Sequence, residues 1–154
     1  MEKALFLDLD DTVRTSKTGK PPNEPSDQVL MPNRKKIIHD YKKKGYKIIA
    51  VTNQGGIGLG YMTKEQCQAC LYDINEKLDM AFDLMLFAPH KPDDEHYDTK
   101  PNPGMLLKAR HKYNINMKDS IMVGDRDSDK LAAERAGVPF KWAKDFFGDK
   151  DAKS

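Results

Sequence analysis

The chain has 154 residues, of which 26 are basic and 24 acidic, so that its formal net charge is +2. This length fits one ordinary domain, and the near balance of charge gives no reason to expect a polyanion or a membrane surface as its partner. No apolar stretch approaches the ~20 residues of a bilayer-spanning helix, and the first apolar run ends in acids rather than in a signal-peptide cleavage site, so we predict a cytoplasmic protein.

Apolar runs of the sequence predict strands, and the amphipathic stretches between them predict helices. Strands are expected, in chain order, at residues 4–9, 47–52, 83–88, 120–124 and 138–142. Helices are expected at residues 33–44, 64–78, 103–113 and 128–136, the second opened by a capping box of Thr63 and Gln66. Residues 15–25 have the composition of a loop, and residues 149–154 that of a frayed tail.

The order of these elements indicates the fold class. Strands alternate with helices long enough for a crossover, and the strands look apolar on both faces, which is typical of a parallel sheet covered by helices on both sides. We therefore predict an α/β protein with a doubly wound, Rossmann-like parallel sheet, formed by residues 1–148 as a single domain.

Polar side chains stand where several of the predicted strands end. Asp8, Asp10, Asp11 and Thr12 lie at or just after the end of the first strand, Thr52, Asn53 and Gln54 lie at or just after the end of the second, and Asp125 and Asp129 follow the fourth. Lys100 just precedes a predicted helix and could place an ammonium group in the same crevice. Because ligands of such sheets collect beyond the carboxyl ends of the strands, we expect these residues to form one site.

Clustered carboxylates at that edge indicate a missing cation, since like charges repel. Mg²⁺ takes one or two carboxylates, waters and a substrate phosphate as its ligands. A carboxylate beside Mg²⁺ can attack phosphorus to give an aspartyl-phosphate, while a second carboxylate protonates the leaving oxygen and later activates water. In such a site Lys100 would offset developing negative charge, and Thr52 with nearby backbone N–H groups would bind the phosphoryl oxygens.

The same residues resemble the signature of the haloacid dehalogenase superfamily of Mg²⁺-dependent phosphohydrolases. Its four motifs match Asp8-x-Asp10-x-Thr12, the strand-ending Thr52, Lys100, and Gly124-Asp125-x-x-x-Asp129, in the family's order and over most of the chain. The resemblance implies the Rossmann-like core of that superfamily, with Mg²⁺ as the cofactor.

Roles for the matched residues follow from the resemblance. It implies that Asp8 is the nucleophile and that Asp10 is the general acid/base. The metal ligands would be Asp8, the backbone carbonyl of Asp10, and Asp125. Phosphate or substrate binding would involve Thr52, Asn53, Gln54 and Lys100, and Asp129 would orient either Lys100 or a metal-bound water.

Substrate choice in the superfamily usually depends on an inserted cap domain, but residues 12–31 and 55–63 have room for no more than loops, so we expect an open site without a large cap. The run "VTNQGGIGLGYMTKEQ" resembles a subgroup with histidinol-phosphate phosphatases, heptose bisphosphate phosphatases and the 3'-phosphatase of polynucleotide kinase/phosphatases. "TKPNPGMLLKAR" and "VGDRDSDKLAAERAG" look most like the heptose and histidinol enzymes, whereas "TSKTGKPPNEPSD" resembles the DNA-end-processing phosphatases.

A loop just before the lysine departs from that subgroup. In the heptose and histidinol enzymes this loop binds zinc through cysteine and histidine, and "APHKPDDEHYDTKP" resembles it in length and in His90. Ala88, His96 and Asp98 stand where cysteines would align, so that the thiolates of a tetrahedral zinc site are missing. We therefore interpret His90 and His96 as solvated loop residues.

Other features favour structural explanations. We interpret Asp11 as a local turn residue, the glycines of "GGIGLG" as a flexible substrate loop, and Cys67 and Cys70 as core residues of one helix face. The basic runs at residues 34–36 and 42–44 bracket apolar residues, which favours a solvated helix face over a nucleic-acid contact.

Three functions remain open at this point. The first is Mg²⁺-dependent hydrolysis of a small phosphorylated metabolite, either a sugar phosphate or a histidinol-phosphate-like compound. The second is removal of 3'-phosphates from DNA or RNA ends, which would make a nucleic-acid 3' end the partner. The third is phosphate binding without turnover, which loss of Asp8 or Asp10 would indicate, and both are present. The sequence does not predict the oligomeric state.

Overall fold

A parallel sheet lies at the centre of the structure, a computed structural model that describes residues 1–150. Within that range its strands are Lys3–Leu7 (β1), Tyr46–Asn53 (β4), Leu84–Ala88 (β5), Ile121–Gly124 (β6) and Phe140–Trp142 (β7). Across the sheet they lie in the order β5-β4-β1-β6-β7. Every pairing in this sheet is parallel. The predicted α/β class with a doubly wound sheet is therefore confirmed.

Side chains of β1 point alternately into two apolar clusters, one on each face of the sheet. Leu5 and Leu7 pack into one apolar cluster, whereas Ala4 and Phe6 pack into the other, and all four are fully buried. Side chains of a strand point alternately to opposite faces, so a strand that is apolar throughout must be covered twice.

Helices cover the sheet on both sides. Arg34–Lys43 (α1), Lys64–Lys77 (α3) and Ala143–Phe147 (α6) contribute to the first cluster, and Gly104–Tyr113 (α4) and Asp127–Ala136 (α5) contribute to the second. Helices α1, α3, α4 and α5 confirm the predicted ones to within one residue at each end. The α3 capping box is also present, because Gln66 N donates to Thr63 Oγ1 at 3.0 Å and Thr63 N to Gln66 Oε1 at 2.8 Å.

The cysteines of α3 face the core, as their spacing predicts. Cys67 and Cys70 are both buried, and burial raises the pKa of the Cys67 thiol to about 11. A thiolate at this position is therefore rare near neutral pH, which does not suit a redox role.

Two segments that the sequence predicts as loops contain regular structure. Between β1 and α1 lie the antiparallel strands Arg14–Ser16 (β2) and Gln28–Leu30 (β3), preceded at β3 by a 3₁₀ turn, Pro25–Asp27. The flexible loop predicted at "GGIGLG" is instead a short helix, Gly56–Leu59 (α2). Strands of three residues and a helix of four are too short to produce a recognisable hydrophobic period.

Glycine is needed within α2 because the chain passes close to another loop. A Cβ on Gly58 would lie 2.8 Å from Lys91 N and 2.9 Å from Pro89 O, and the Gly58 amide donates to Pro89 O at 2.9 Å. The glycine-rich run is therefore a fixed contact with the loop after β5, which corrects the prediction of a flexible segment.

The C-terminal segment also differs from the prediction. Asp149, predicted to belong to a frayed tail, accepts hydrogen bonds from Nη1 of Arg34 and, at 2.8 Å, from its Nη2. Arg34, predicted on a solvated helix face, is fully buried. Residues 151–154 of the predicted tail lie outside the described residues, and the domain boundary at residue 148 stays a prediction.

Within residues 1–150, the segments inserted after strands β1 and β4 are small. The β2–β3 hairpin follows β1 and α2 follows β4, and neither forms a large cap. In this same range, no helix combines the length and the apolar character needed to cross a bilayer.

Candidate active site

The carboxyl ends of β1, β4 and β6 bring together the motif residues that the sequence predicted. Asp8 directly follows β1, Thr52 is the last residue but one of β4, and Asp125 directly follows β6. Asp8 N donates to Val123 O at 3.1 Å, which holds the end of β1 beside β6. Pairing of neighbouring strands thus makes one site from residues that are more than a hundred positions apart.

Lys100 lies inside this site, where its ammonium group contacts two carboxylates. Its Nζ is 2.8 Å from Asp8 Oδ1 and 2.6 Å from Asp129 Oδ1. Burial by itself would lower the pKa of Lys100, but the negative charges of Asp8 and Asp129 outweigh burial and raise it. Lys100 is therefore a fixed cation.

Asn53 positions the backbone that carries this lysine. Asn53 Nδ2 donates to Lys100 O at 3.1 Å, and Lys100 N donates to Asn53 Oδ1 at 3.0 Å. The paired bonds use both ends of the amide, and they fix the strand end of β4 to the segment before α4. The structure therefore gives Asn53 a contact with the protein backbone, and the substrate contact that the resemblance implies stays a prediction.

Asp8 is the most perturbed acid of the site. Burial raises its pKa from 3.8 to about 7, although the charge of Lys100 opposes this shift. Thr12 Oγ1 donates to Asp8 Oδ2 at 3.3 Å. One lysine and one hydroxyl do not compensate for the burial of this carboxylate, so a further cation beside it would stabilise the ionised form.

Asp129 lies at the first turn of α5 and joins the β6 loop to Lys100. Its Oδ2 accepts hydrogen bonds from Asp125 N and Arg126 N, both at 3.1 Å. A Cβ on Gly124 would come within 2.4 Å of the Asp129 side chain, so glycine is required there. Of the two roles that the resemblance implies for Asp129, its contacts match the orientation of Lys100.

Three carboxylates of the site form a candidate cation site. Asp8, Asp125 and Asp129 each offer an oxygen, and these oxygens lie within 4.8 Å of one another. Asp125 Oδ1 is buried without any hydrogen-bond partner in residues 1–150, and burial raises the pKa of its carboxyl. A hard, oxygen-preferring divalent cation such as Mg²⁺ fits this set. Asp125 offers an oxygen without a hydrogen-bond partner in residues 1–150, and Asp8 offers Oδ2, whose hydrogen bond from Thr12 Oγ1 is long at 3.3 Å, whereas the oxygens of Asp129 accept bonds of 2.6 and 3.1 Å.

Asp10 lies apart from these carboxylates and has other partners. Arg14 Nε donates to its Oδ1 at 3.2 Å, and Gln54 Nε2 donates to its Oδ2 at 3.1 Å. Gln54 Nε2 also lies 2.9 Å from Thr52 Oγ1. The predicted metal contact of Asp10, through its backbone carbonyl, stays a prediction.

Arg14 is the residue of this site that sequence reasoning missed. It falls outside the four motifs, and the available signal was an arginine four residues after Asp10 in a segment with loop composition. Its burial, with 1% of the residue exposed, is visible in the tertiary structure alone.

The loop after β5 does not fit a tetrahedral thiolate zinc site. His90, His96 and Asp98 offer ligand atoms within 4.8 Å of one another, and the histidine rings stack at a centroid distance of 3.5 Å. Asp98 Oδ2 is already bound by Lys108 Nζ at 2.6 Å, although Asp98 Oδ1 has no partner in the described part of the chain. Ala88 offers no ligand atom, so the fourth position of a tetrahedron is missing.

The chain is similar to known proteins. A family model described as polynucleotide kinase 3 phosphatase matches residues 3–147. The chain is 34% identical over 143 residues to a Thermoplasma volcanium protein named "Probable D-glycero-D-manno-heptose-1,7-bisphosphate 7-phosphatase", an alignment that covers 90% of this chain and 97% of the relative. It is 32% identical over 140 residues to the D-glycero-beta-D-manno-heptose-1,7-bisphosphate 7-phosphatase of Helicobacter pylori, with coverage of 88% and 80%.

A solved structure is similar in fold as well as in sequence. The crystal structure of D,D-heptose 1,7-bisphosphate phosphatase from B. bronchiseptica, complexed with magnesium and phosphate, superposes with a TM-score of 0.81 at 26% identity. The match covers 90% of this chain and 78% of that one. Magnesium, one of the two groups bound to that protein, is the kind of cation that the carboxylates described above can bind.

Proposed function

Because the chain belongs to the polynucleotide kinase 3 phosphatase family of haloacid dehalogenase-type phosphatases, we propose that Asp8 is the nucleophile with which it hydrolyses a phosphomonoester. The chain is a phosphatase, and its cofactor is Mg²⁺. The observation that supports the role of Asp8 best is its position: its carboxylate is buried, lies 2.8 Å from the Lys100 ammonium group, and offers an oxygen within 4.8 Å of one of Asp125.

The first half of the reaction transfers the phosphoryl group to the protein. An oxygen of the Asp8 carboxylate attacks phosphorus, the P–O ester bond breaks, and the leaving oxygen takes a proton from Asp10. Lys100 offsets the negative charge that develops on the phosphoryl oxygens, and Thr52 binds one of them. Asp8 and Asp125 would hold Mg²⁺, which when bound would supply a second positive charge at that centre.

The second half returns the protein to its starting state. Asp10, now a carboxylate, takes a proton from water, and the water oxygen attacks the phosphorus of the aspartyl-phosphate. The acyl P–O bond breaks, which releases inorganic phosphate and restores the Asp8 carboxylate and the protonated Asp10. The geometry supports this division of roles because Asp8 contacts Lys100 whereas Asp10 contacts Arg14 and Gln54.

A small phosphorylated sugar is the substrate class that we propose. Relatives named as heptose-1,7-bisphosphate 7-phosphatases align with about nine tenths of this chain, and one similar structure bears the same substrate in its name. The absence of a large cap from residues 1–150 leaves the approach to Asp8 open, so the sugar would contact the loops around the site.

A polynucleotide 3' end is the second candidate substrate. The description of the matching family model favours it. The β2–β3 hairpin also presents the exposed side chains of Lys17 and Lys20, on the element that carries Arg14 to Asp10. Cations at such a position could contact nucleic-acid phosphates.

The cytoplasmic location, which the sequence predicts, stays a prediction.

Phosphate release from a matched panel tests these proposals. The panel holds a heptose bisphosphate, histidinol phosphate, other sugar phosphates and a 3'-phosphorylated oligonucleotide, with Mg²⁺ present and the Asp8→Asn variant as the blank. We expect the highest kcat/KM for a sugar phosphate. A preference of orders of magnitude for the oligonucleotide would overturn the sugar proposal, and turnover by Asp8→Asn equal to that of the natural protein would overturn the covalent mechanism.

A further inference from the structure

The carboxylate of Asp10 is held at both of its oxygens. Oδ1 accepts from Arg14 Nε at 3.2 Å, and Oδ2 accepts from Gln54 Nε2 at 3.1 Å. The two donors come from different elements, since Arg14 begins β2 and Gln54 follows β4. A carboxylate with a donor on each oxygen cannot rotate about its side-chain bonds without losing one of these hydrogen bonds.

Arg14 is itself fixed by the hairpin. Its Nη1 donates to Gln28 Oε1, across the pairing of β2 with β3. Gln28 is buried, and its Nε2 donates to Cys70 O at 2.9 Å and to Asp73 Oδ2 at 3.0 Å, both on α3. A continuous series of hydrogen bonds thus connects α3 with Asp10 through two buried side chains.

The burial of Arg14 requires a reason. A guanidinium loses its hydration when it is buried, and an apolar side chain of similar volume often stabilises a core as well or better. Arg14 is 1% exposed, and its ion pair within the described residues is with Asp10, whose side chain is 23% exposed. The more exposed member of this pair is the Asp10 carboxylate, which faces the open site. The buried Arg14 therefore binds, from the protein interior, a carboxylate that must contact the substrate.

We propose that Arg14 is a positioning residue for Asp10, which it holds in the orientation that delivers a proton to the leaving oxygen. The inference rests on the proposed function, in which Asp10 is the general acid/base. Proton transfer needs the acid within hydrogen-bond distance of the leaving oxygen, and a freely rotating carboxylate would spend part of its time elsewhere. Gln28 secures Arg14, and through it the hairpin becomes part of the catalytic apparatus.

Leaving-group dependence distinguishes this role from a structural one. An alkoxide leaving group needs a proton from the acid, whereas p-nitrophenolate leaves without one. We expect Arg14→Met to lower kcat/KM for an alkyl phosphomonoester such as glycerol phosphate by about 10²-fold, and that for p-nitrophenyl phosphate by less than about fivefold. Lys36→Met, which replaces a basic side chain that is 84% exposed on α1, is the control and should change neither value.

A second variant controls for the possibility that Arg14→Met loses activity because it folds poorly. Arg14→Lys keeps a positive charge but cannot donate to Asp10 and Gln28 with a fork of fixed geometry, so it should give the same selective loss on a smaller scale. Equal losses for both esters, or no loss for either, would overturn the inference. Failure of both variants to fold, measured by circular dichroism, would also overturn it, because Arg14 would then be required for the fold.

The proposed function can fail separately. Asp10→Asn should show the same selective loss, and a larger one, because it removes the acid itself. If Asp10→Asn keeps full activity on the alkyl ester, the role of Asp10 is wrong and the result does not depend on Arg14. If Asp10→Asn loses that activity while the Arg14 variants keep it, the proposed function stands and the positioning role is wrong.

Discussion

The ammonium nitrogen of Lys100 lies 2.8 Å from Oδ1 of Asp8, although 92 residues separate them in the chain. Both side chains are almost completely buried, with 2% and 9% of their surfaces exposed. Because Asp129 shares the same ammonium group, the loss of Lys100 would leave two neighbouring carboxylates without a cation. The fold and the chemistry therefore depend on the same contact.

Replacement of this lysine should destabilise the protein as well as inactivate it. We expect Lys100→Met to lower the free energy of unfolding at pH 8 by about 3 to 5 kcal/mol, since a buried charge without its partner costs that much. The loss should be smaller at pH 5, because burial raises the pKa of Asp8 to about 7 and this carboxyl can then bind a proton instead. Urea unfolding at both pH values measures this, and Lys108→Met, whose side chain is 55% exposed, is the control. Equal losses for the two variants would contradict the expectation.

Replacement of the proposed nucleophile should separate activity from folding. Asp8→Asn should lower phosphate release by at least about 10³-fold, as removal of a nucleophile does, with a melting temperature close to that of the natural protein. Asp11→Asn is the matched control: it is exposed, it has a φ of 62°, which asparagine also adopts, and it should keep its activity. Loss of activity in both variants would point to a disturbed loop and not to a lost nucleophile.

Stability of the metal-free protein should carry the pH signature of Asp8. Burial raises the pKa of this carboxyl to about 7, from 3.8. Between about pH 4 and pH 7 the native state therefore holds a proton that the unfolded state has released, so the contribution of Asp8 to the free energy of unfolding falls as pH rises. Urea unfolding in EDTA, for the natural protein and Asp8→Asn, isolates this contribution as a difference. A difference that is constant from pH 4 to pH 7 would contradict it.

Removal of the metal should abolish activity without unfolding the chain. The carboxylates of Asp8 and Asp125 belong to strand ends whose hydrogen bonds and packing do not involve a cation. We therefore expect EDTA to stop phosphate release, added Mg²⁺ to restore it, and the melting temperature to change by a few degrees at most. A collapse of the melting temperature would instead indicate a structural metal, for which His90, His96 and Asp98 are the candidate ligands.

The C-terminal ion pair offers a test of where the packed chain ends. Arg34 is fully buried, donates from its Nε to Thr12 O at 2.7 Å, and binds Asp149, whose side chain is 26% exposed. Asp149→Asn should cost about 2 kcal/mol of stability, less than a fully buried pair because water still reaches the carboxylate. Asp145→Asn, on the exposed part of α6, should cost less than about 0.5 kcal/mol. Equal urea midpoints for the two variants would place the end of the packed chain at the predicted boundary, residue 148.

Much of the fold could be predicted from local patterns. A hydrophobic period or a capping signal marks each of the five strands of the sheet in residues 1–150 and each of helices α1, α3, α4 and α5. These elements lie within two residues of their predicted bounds. Strands β2 and β3 and helices α2 and α6 have three to five residues each, too few for a hydrophobic period to emerge. Arg34 followed the pattern of a solvated basic run, yet its partner Asp149 lies 115 residues away.

The sequence by itself determined that the motif residues Asp8, Thr52, Lys100 and Asp125 meet, because strand ends of a parallel sheet share one edge. It did not determine how they are held. The contacts of Lys100 with Asp8 and Asp129 and of Arg14 with Asp10 join side chains that are 4 to 92 positions apart, and they leave one oxygen of Asp125 without a partner among residues 1–150. Such contacts have no period along the sequence, since they arise when packed elements exclude water from charged groups, and the tertiary structure alone decides which charges are then paired.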